Sequence, residues 1–82
     1  MHWQDLRKVV PDPGKILQLF IKNNCFFAKA VLTKDKQMIF IVSYTYKALL
    51  DIREEMLPFY TLEQLQKRYA YWTLFTKPGE TR

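Results

Sequence analysis

The sequence predicts an α+β domain in which an antiparallel sheet of three to four strands carries one or two helices on one face. Three observations favour this class. Apolar and polar residues alternate over three successive segments, short polar turns separate those segments, and the second half changes to helical spacing. Of the 82 residues, 49% are hydrophobic and 16% are aromatic, a composition that supports a single domain over 1–82 with a rich core.

Three strands are predicted after an extended lead-in. The lead-in ends in a Pro-Asp-Pro-Gly turn, and each strand ends in a polar turn. Asn tolerates the positive φ angles of a tight hairpin, so the pair Asn23-Asn24 is read as the first turn. The lead-in, the strands and the second loop are 1–14, Lys15–Lys22, Cys25–Thr33, Gln37–Ser43 and Lys34-Asp35-Lys36.

The two predicted hairpins agree on which side chains share a face. A two-residue turn at Asn23-Asn24 places Leu19 opposite Ala28, and a three-residue second loop places Ala28 opposite Val42. The small residues Ala28 and Ala30 fall at the middle of this face. Because small side chains leave room above a sheet, we expect a helix to lie across them.

The first predicted helix covers Tyr46–Leu57 and ends before Pro58, whose preceding residue disfavours helix. Its apolar residues at helical spacing are Leu49, Ile52 and Met56.

The second predicted helix begins after Thr61, where Gln64 completes a capping box. A final strand over Ala70–Thr76 and a tail over 77–82 follow it. The helix carries an apolar stripe formed by Leu62, Leu65 and Tyr69.

Several chemistries are disfavoured by the residues present. The single histidine, His2, and the single cysteine, Cys25, cannot form a Cys/His zinc cluster or a Cys–His pair within the domain, and two glycines do not make a phosphate-binding loop. Asp51, Glu54 and Glu55 are read as a solvated helix face, since adjacent helical residues point in different directions. The sequence therefore predicts no catalytic residues, metal or cofactor.

The charge and hydropathy patterns predict a cytoplasmic protein. The formal net charge is +5, and the basic residues occur in groups of two: Arg7-Lys8, Lys34 with Lys36, and Lys67-Arg68. Such scattered cations usually serve solvation, although a basic excess also favours an acidic partner. The apolar run 38–42 is far shorter than the roughly 20 residues of a membrane helix, and a lone cysteine fits a reducing compartment.

A candidate binding face lies on the opposite side of the sheet. Three interpretations of it stay open. In the first, the protein covers this face itself, with Trp3, Leu6, Val9 and Val10 of the lead-in or with the second predicted helix. In the second, the face binds a protein, a second copy included. In the third, Phe20, Phe27 and Lys29 bind single-stranded nucleic acid by stacking its bases and meeting its phosphates. Its residues are Phe20, Phe27, Lys29, Ile39 and Ile41.

Both ends of the chain resemble one family. The opening residues Trp3, Pro11, Asp12 and Gly14 with the strand after them, and the closing segment Ala70–Leu74 with Pro78, are similar to the bacterial and phage family called domain of unknown function 551. The middle, MIFIVSYTY, departs from that family's polar, Gly-containing middle segment.

The resemblance implies a phage or mobile-element context and action by binding, and it brings no catalytic residues. It also implies that Trp3 and Trp72 fasten the two ends of the chain to the sheet. The predicted function is accordingly that of a non-enzymatic protein-binding protein, with nucleic-acid binding as the alternative.

Overall fold

The protein consists of an antiparallel sheet with a short helix packed against each face. The structure is a computed structural model, and it describes residues 3–51, 53 and 56–75. Within those residues the sheet has six strands, in the spatial order β1-β6-β2-β3-β4-β5. The strands and helices, in chain order, are Gln4–Asp5 (β1), Ile16–Ile21 (β2), Asn24–Leu32 (β3), Met38–Ser43 (β4), Tyr46–Asp51 (α1), Phe59–Thr61 (β5), Leu62–Lys67 (α2) and Tyr71–Leu74 (β6).

The α+β class and the antiparallel sheet are confirmed, but the sheet is larger than the predicted three to four strands. The additional strands are β1, inside the lead-in, and β5. They have two and three residues, too few to show an alternating pattern. Each exists because an edge of the sheet offers a partner: Gln4 pairs with Trp72, and Phe59 pairs with Ile41.

The first hairpin turns one residue earlier than predicted. Its turn is Lys22-Asn23, which pairs Leu19 with Phe26, whereas the predicted turn paired Leu19 with Ala28. Lys22 takes the positive φ of 54° that was expected of an asparagine. Because the resulting register shift is two residues, every side chain keeps its predicted face.

The second hairpin has the predicted register, with Ala28 paired to Val42 and Ala30 paired to Phe40. Both alanines are fully buried, and Leu65 of α2 belongs to the same core cluster. We call this side the first face, and it carries Leu17, Leu19, Ala28, Ala30, Phe40 and Val42.

The predicted capping box at the start of α2 is confirmed. The Thr61 Oγ1 accepts a hydrogen bond from the Gln64 N–H at 3.1 Å, and the Gln64 Oε1 accepts one from the Thr61 N–H at 3.0 Å. Leu65 then points into the core. The prediction for Tyr69 is wrong, because α2 ends at Lys67 and Tyr69 is an exposed residue with a φ of 57° that turns the chain toward β6.

The prediction that the helices share one face is wrong. The ring of Tyr46, in α1, lies 6.1 Å from the ring of Phe27 and 4.8 Å from that of Phe75. Phe27 points away from the first face, so α1 lies against the opposite side. We call this side the second face, and it carries Phe20, Phe27, Lys29, Ile39, Ile41 and Tyr71. The physical reason is that this face is itself apolar and its burial stabilises the fold.

The ends of two predicted elements differ from the structure. α1 covers Tyr46–Asp51 instead of Tyr46–Leu57, and Met56 is exposed instead of contributing to a core stripe. The predicted Ile52 contact lies outside the described residues. The last strand, predicted over Ala70–Thr76, is the shorter β6, and Thr76 with the tail 77–82 also lies outside the described residues.

The lead-in is fastened mainly through Trp72. This side chain is 6% exposed, and its Nε1–H donates a hydrogen bond to the Val9 carbonyl at 2.8 Å. Leu6, from the lead-in, is fully buried in the same core cluster. Trp3 stays well exposed, so of the two predicted anchors only Trp72 has the burial of one.

We expect Trp72→Ala to lower the free energy of unfolding by about 3–5 kcal/mol, since it leaves a cavity beneath the lead-in. Trp72→Phe should cost less, because the ring remains and only the hydrogen bond to Val9, worth about 1 kcal/mol, is lost with part of the ring area. Trp3→Ala is the control. Urea denaturation followed by circular dichroism measures all three, and an equal loss for Trp3→Ala and Trp72→Ala would contradict the assignment.

Candidate functional site

The structure separates the five residues of the predicted binding face. Ile41 is 5% exposed, and the ring of Phe27 lies 5.0 Å from that of Phe75 beneath α1. The protein therefore covers this part of the second face itself, but with α1, whereas the lead-in or the second helix was expected from the sequence. Lys29 and Ile39 are half-buried, while Phe20 is exposed at the other side of the face.

Phe20 belongs to a cluster of exposed rings that we call the aromatic patch, formed by Trp3, Phe20 and Tyr71. The pairing of β2 with β6 sets Phe20 directly beside Tyr71, and the Trp3 ring lies 5.9 Å from the Phe20 ring. The exposed fractions are 41% for Trp3 and 39% for each of the other two. Between them the three rings line a pocket of about 290 Å³.

Sequence reasoning found Phe20 but not its two partners. Trp3 reaches the patch because β1 pairs with β6, and β1 is too short to be predicted. Tyr71 reaches it because β6 pairs with β2, a contact between distant parts of the chain that the local pattern does not encode. The available signal was the alternation after Ala70, where Tyr71 and Thr73 occupy one face of the strand and Trp72 the other.

A groove adjoins the aromatic patch and shares two of its rings. It has a volume of about 760 Å³ and is bounded by the first hairpin turn, the end of α2 and the start of β6. We call it the basic groove, and its lining residues are Phe20, Lys22, Gln64, Lys67, Arg68, Tyr69 and Tyr71.

Two backbone turns bring the cations to the basic groove. The left-handed conformation of Lys22 closes the hairpin that ends β2. At the end of α2 the N–H groups of Arg68 and Ala70 both donate to the Leu65 carbonyl, at 3.1 Å each. This tight end turns the chain from helix to strand within three residues of Lys67, so the last helical side chains and the start of β6 line one groove.

The charge of the basic groove is positive. Three of its lining residues are cations, and none is a carboxylate. Lys67 forms an ion pair with Glu63 at 3.4 Å, but both side chains are about three-quarters exposed, so this pair contributes at most about 1 kcal/mol and leaves the lysine available to solvent. The Arg68 guanidinium lies 5.6 Å from the centre of the Tyr60 ring, which directs it along the surface.

Arg7, in the lead-in, packs against the ring of Tyr69 at the edge of the groove. The Arg7 guanidinium lies 4.5 Å from the centre of the Tyr69 ring and donates two hydrogen bonds to the Asp5 carboxylate, at 2.9 and 3.1 Å. The Arg7 N–H also donates to Asp5 at 2.9 Å. These hydrogen bonds lower the pKa of Asp5 to about 2.

The described residues show no grouping of three His, Cys, Asp or Glu side chains that could hold a metal ion. Of the predicted solvated carboxylates, Asp51 is exposed, while Glu54 and Glu55 lie outside the described residues, as does His2. Cys25 is exposed on the first hairpin. Neither helix of the described chain is long and apolar enough to span a bilayer.

The low pKa of Asp5 makes the stability of the folded protein depend on pH, and the direction of this dependence follows from the pKa. The folded pKa, about 2, lies below the ordinary aspartate value of about 3.9. The contribution of the ion pair to stability is therefore present above about pH 4 and is lost as the pH falls toward 2. An NMR titration of the Asp5 carboxyl carbon should give the low value, and Arg7→Gln should raise the pKa by removing the main hydrogen bonds. Lys8→Gln, which removes a charge but no hydrogen bond, should change it less; an equal shift in both variants would contradict the hydrogen-bond cause.

Comparison with known proteins finds no match: no family model, curated protein or solved structure is significantly similar to the chain. The resemblance of the chain ends to domain of unknown function 551 stays a prediction.

Proposed function

We propose that this chain is a non-enzymatic interaction protein that binds another macromolecule through the aromatic patch. The observation that carries the proposal is the arrangement of Trp3, Phe20 and Tyr71, which pack beside one another yet leave about two-fifths of each side chain exposed around an open pocket. Clustered exposed rings on a small domain are typical of a contact surface, because their apolar area is buried when a partner binds.

Two classes of partner fit this surface, and a protein, a second copy of the chain included, is one of them. Tryptophan and tyrosine are enriched among the residues that contribute most to protein–protein affinity, usually where a pocket accepts a side chain of the partner. The apolar pocket between the three rings supports this assignment.

Nucleic acid is the other class of partner, and a specific observation favours it. Phe20 and Tyr71 line the basic groove as well as the patch, so a ligand on these rings also meets the cations of the groove. The setting that we propose for either partner is the cytoplasm of a bacterial cell, with a phage or mobile-element origin suggested by the resemblance of the chain ends.

Site-specific photo-crosslinking tests the proposal and distinguishes the classes of partner. We expect Tyr71→benzoylphenylalanine to give discrete adducts on irradiation in cells that express the protein, because position 71 lies in the patch. The matched control is Phe59→benzoylphenylalanine, at an exposed aromatic position on the far edge strand β5. An adduct of twice the protein mass indicates self-association, a nuclease-sensitive adduct indicates nucleic acid, and any other discrete band indicates a different protein.

The result that overturns the proposal is equally clear. If position 71 gives no adduct, or the same products as position 59, the aromatic patch is not the contact surface. Unfolding curves of the two substituted proteins, measured in parallel, establish that both retain the fold.

A further inference from the structure

We infer that the partner is a single-stranded nucleic acid, with bases stacked on Phe20 and Tyr71 and phosphates held by Lys22, Lys67 and Arg68. This inference rests on the proposed function and names the partner of the same surface. The nucleic-acid site predicted from sequence consisted of Phe20, Phe27 and Lys29. The inference keeps Phe20, which is exposed, and replaces Phe27 and Lys29 with Tyr71 and the cations of the basic groove.

The first step concerns charge. Three cations from two separate turns, Lys22, Lys67 and Arg68, line one groove that has no carboxylate among its lining residues. The chain as a whole has a formal net charge of +5. Such a surface attracts a polyanion, and its lysines and arginines release the counterions that surround the phosphates.

The second step concerns stacking. Phe20 and Tyr71 lie side by side on adjacent strands, so the sheet fixes their backbone positions before any ligand binds. The base of a nucleotide stacks on an aromatic ring irrespective of its sequence. Phe20 and Tyr71 line both the pocket of the patch and the groove that contains the three cations, so a strand whose bases stack on these rings brings its phosphates to the same groove.

The third step distinguishes a single strand from a duplex. Stacking on Phe20 and Tyr71 needs bases that are not paired, because paired bases present only their edges in the grooves of a double helix. Each helix of the described chain has six residues, and the cations of α2 lie at its last turn beside a sheet, so α2 is not placed to enter a major groove.

The first experiment measures fluorescence anisotropy of labelled poly-dT and poly-U oligonucleotides of about 12 nucleotides, a length within known single-stranded site sizes. A labelled duplex of equal length and an acidic polypeptide, polyglutamate, are the competing probes. We expect the single strands to bind more tightly than either. Between about 50 and 200 mM salt, three phosphate contacts predict a slope of about −2 for the logarithm of the affinity against the logarithm of salt concentration.

Matched variants distinguish binding in the basic groove from attraction by the positive charge of the protein as a whole. Lys22→Gln with Lys67→Gln should lower the salt slope to about −0.7, because one phosphate contact remains. The control pair, Lys36→Gln with Lys47→Gln, removes the same charge. Lys36 has a positive φ of 64° in a turn, as Lys22 does, and Lys47 is an exposed lysine on the other helix.

The stacking step has its own variants. Tyr71→Ala should weaken single-strand binding roughly tenfold, within the range measured for loss of one stacked base. Phe59→Ala and Lys29→Gln should leave it unchanged, since neither residue lines the groove. Urea denaturation of each variant confirms that it is folded, and Tyr71→Phe should retain binding because the ring remains.

Several outcomes overturn the inference. The first is that no single strand binds at about 100 µM protein, a concentration at the weak end of non-specific affinity. The second is tighter binding of the duplex or of polyglutamate. The third is an equal loss of affinity in the two lysine pairs. If the photo-crosslinks at position 71 are nuclease-resistant while oligonucleotides fail to bind, the inference falls and the proposed protein contact stands. If position 71 does not crosslink and oligonucleotides fail, both fall.

Discussion

The structure depends on the pairing of β6 with both β1 and β2. The strand closest to the end of the described chain lies inside the sheet, and it joins the lead-in to the hairpins. Trp72 pairs with Gln4 on one side and with Leu19 on the other, and its indole N–H is satisfied by Val9. Without this strand the sheet would lose its connection to the lead-in, and neither the aromatic patch nor the basic groove would form.

A second constraint is that both faces of the sheet are apolar. The first face is covered by α2 and the lead-in, and the second face is only partly covered because α1 has six residues. α1 covers the region of Ile41 and Phe27, which leaves the region of Phe20 and Tyr71 open. The proposed contact surface is thus the part of a two-sided sheet that two short helices do not reach.

The local pattern was sufficient for the three central strands, for the register of the second hairpin and for the start of α2, but it placed the turn of the first hairpin one residue too late. Alternation and turn residues predicted β2, β3 and β4, and the Thr61–Gln64 spacing predicted the capping box. It was insufficient where pairing between distant residues creates an element, as in β1 and β5, and where an unexpected residue adopts a positive φ, as Lys22 and Tyr69 do.

In the candidate site, too, the local pattern identified one residue, and contacts between distant residues supplied the others. Phe20 was identified because its side chain alternates with buried neighbours along a strand, whereas Trp3 and Tyr71 join it only through contacts between the two ends of the chain. Of the three interpretations of this face, coverage by the protein itself holds for Ile41 and does not hold for Phe20. No local rule specifies how far a short helix extends across a sheet.

The interior position of β6 has a consequence for the nascent chain. Residues 16–32 leave the ribosome before residues 71–74, so the edge of β2 that β6 pairs with has no partner from this chain until the last described strand has emerged. The residues of β2 that later pair with β6 include the apolar Leu17 and Leu19, and an open, apolar edge strand is a site for pairing with a second chain. Until β6 pairs with β2, this edge is therefore open to aggregation unless another molecule, such as a chaperone, covers it.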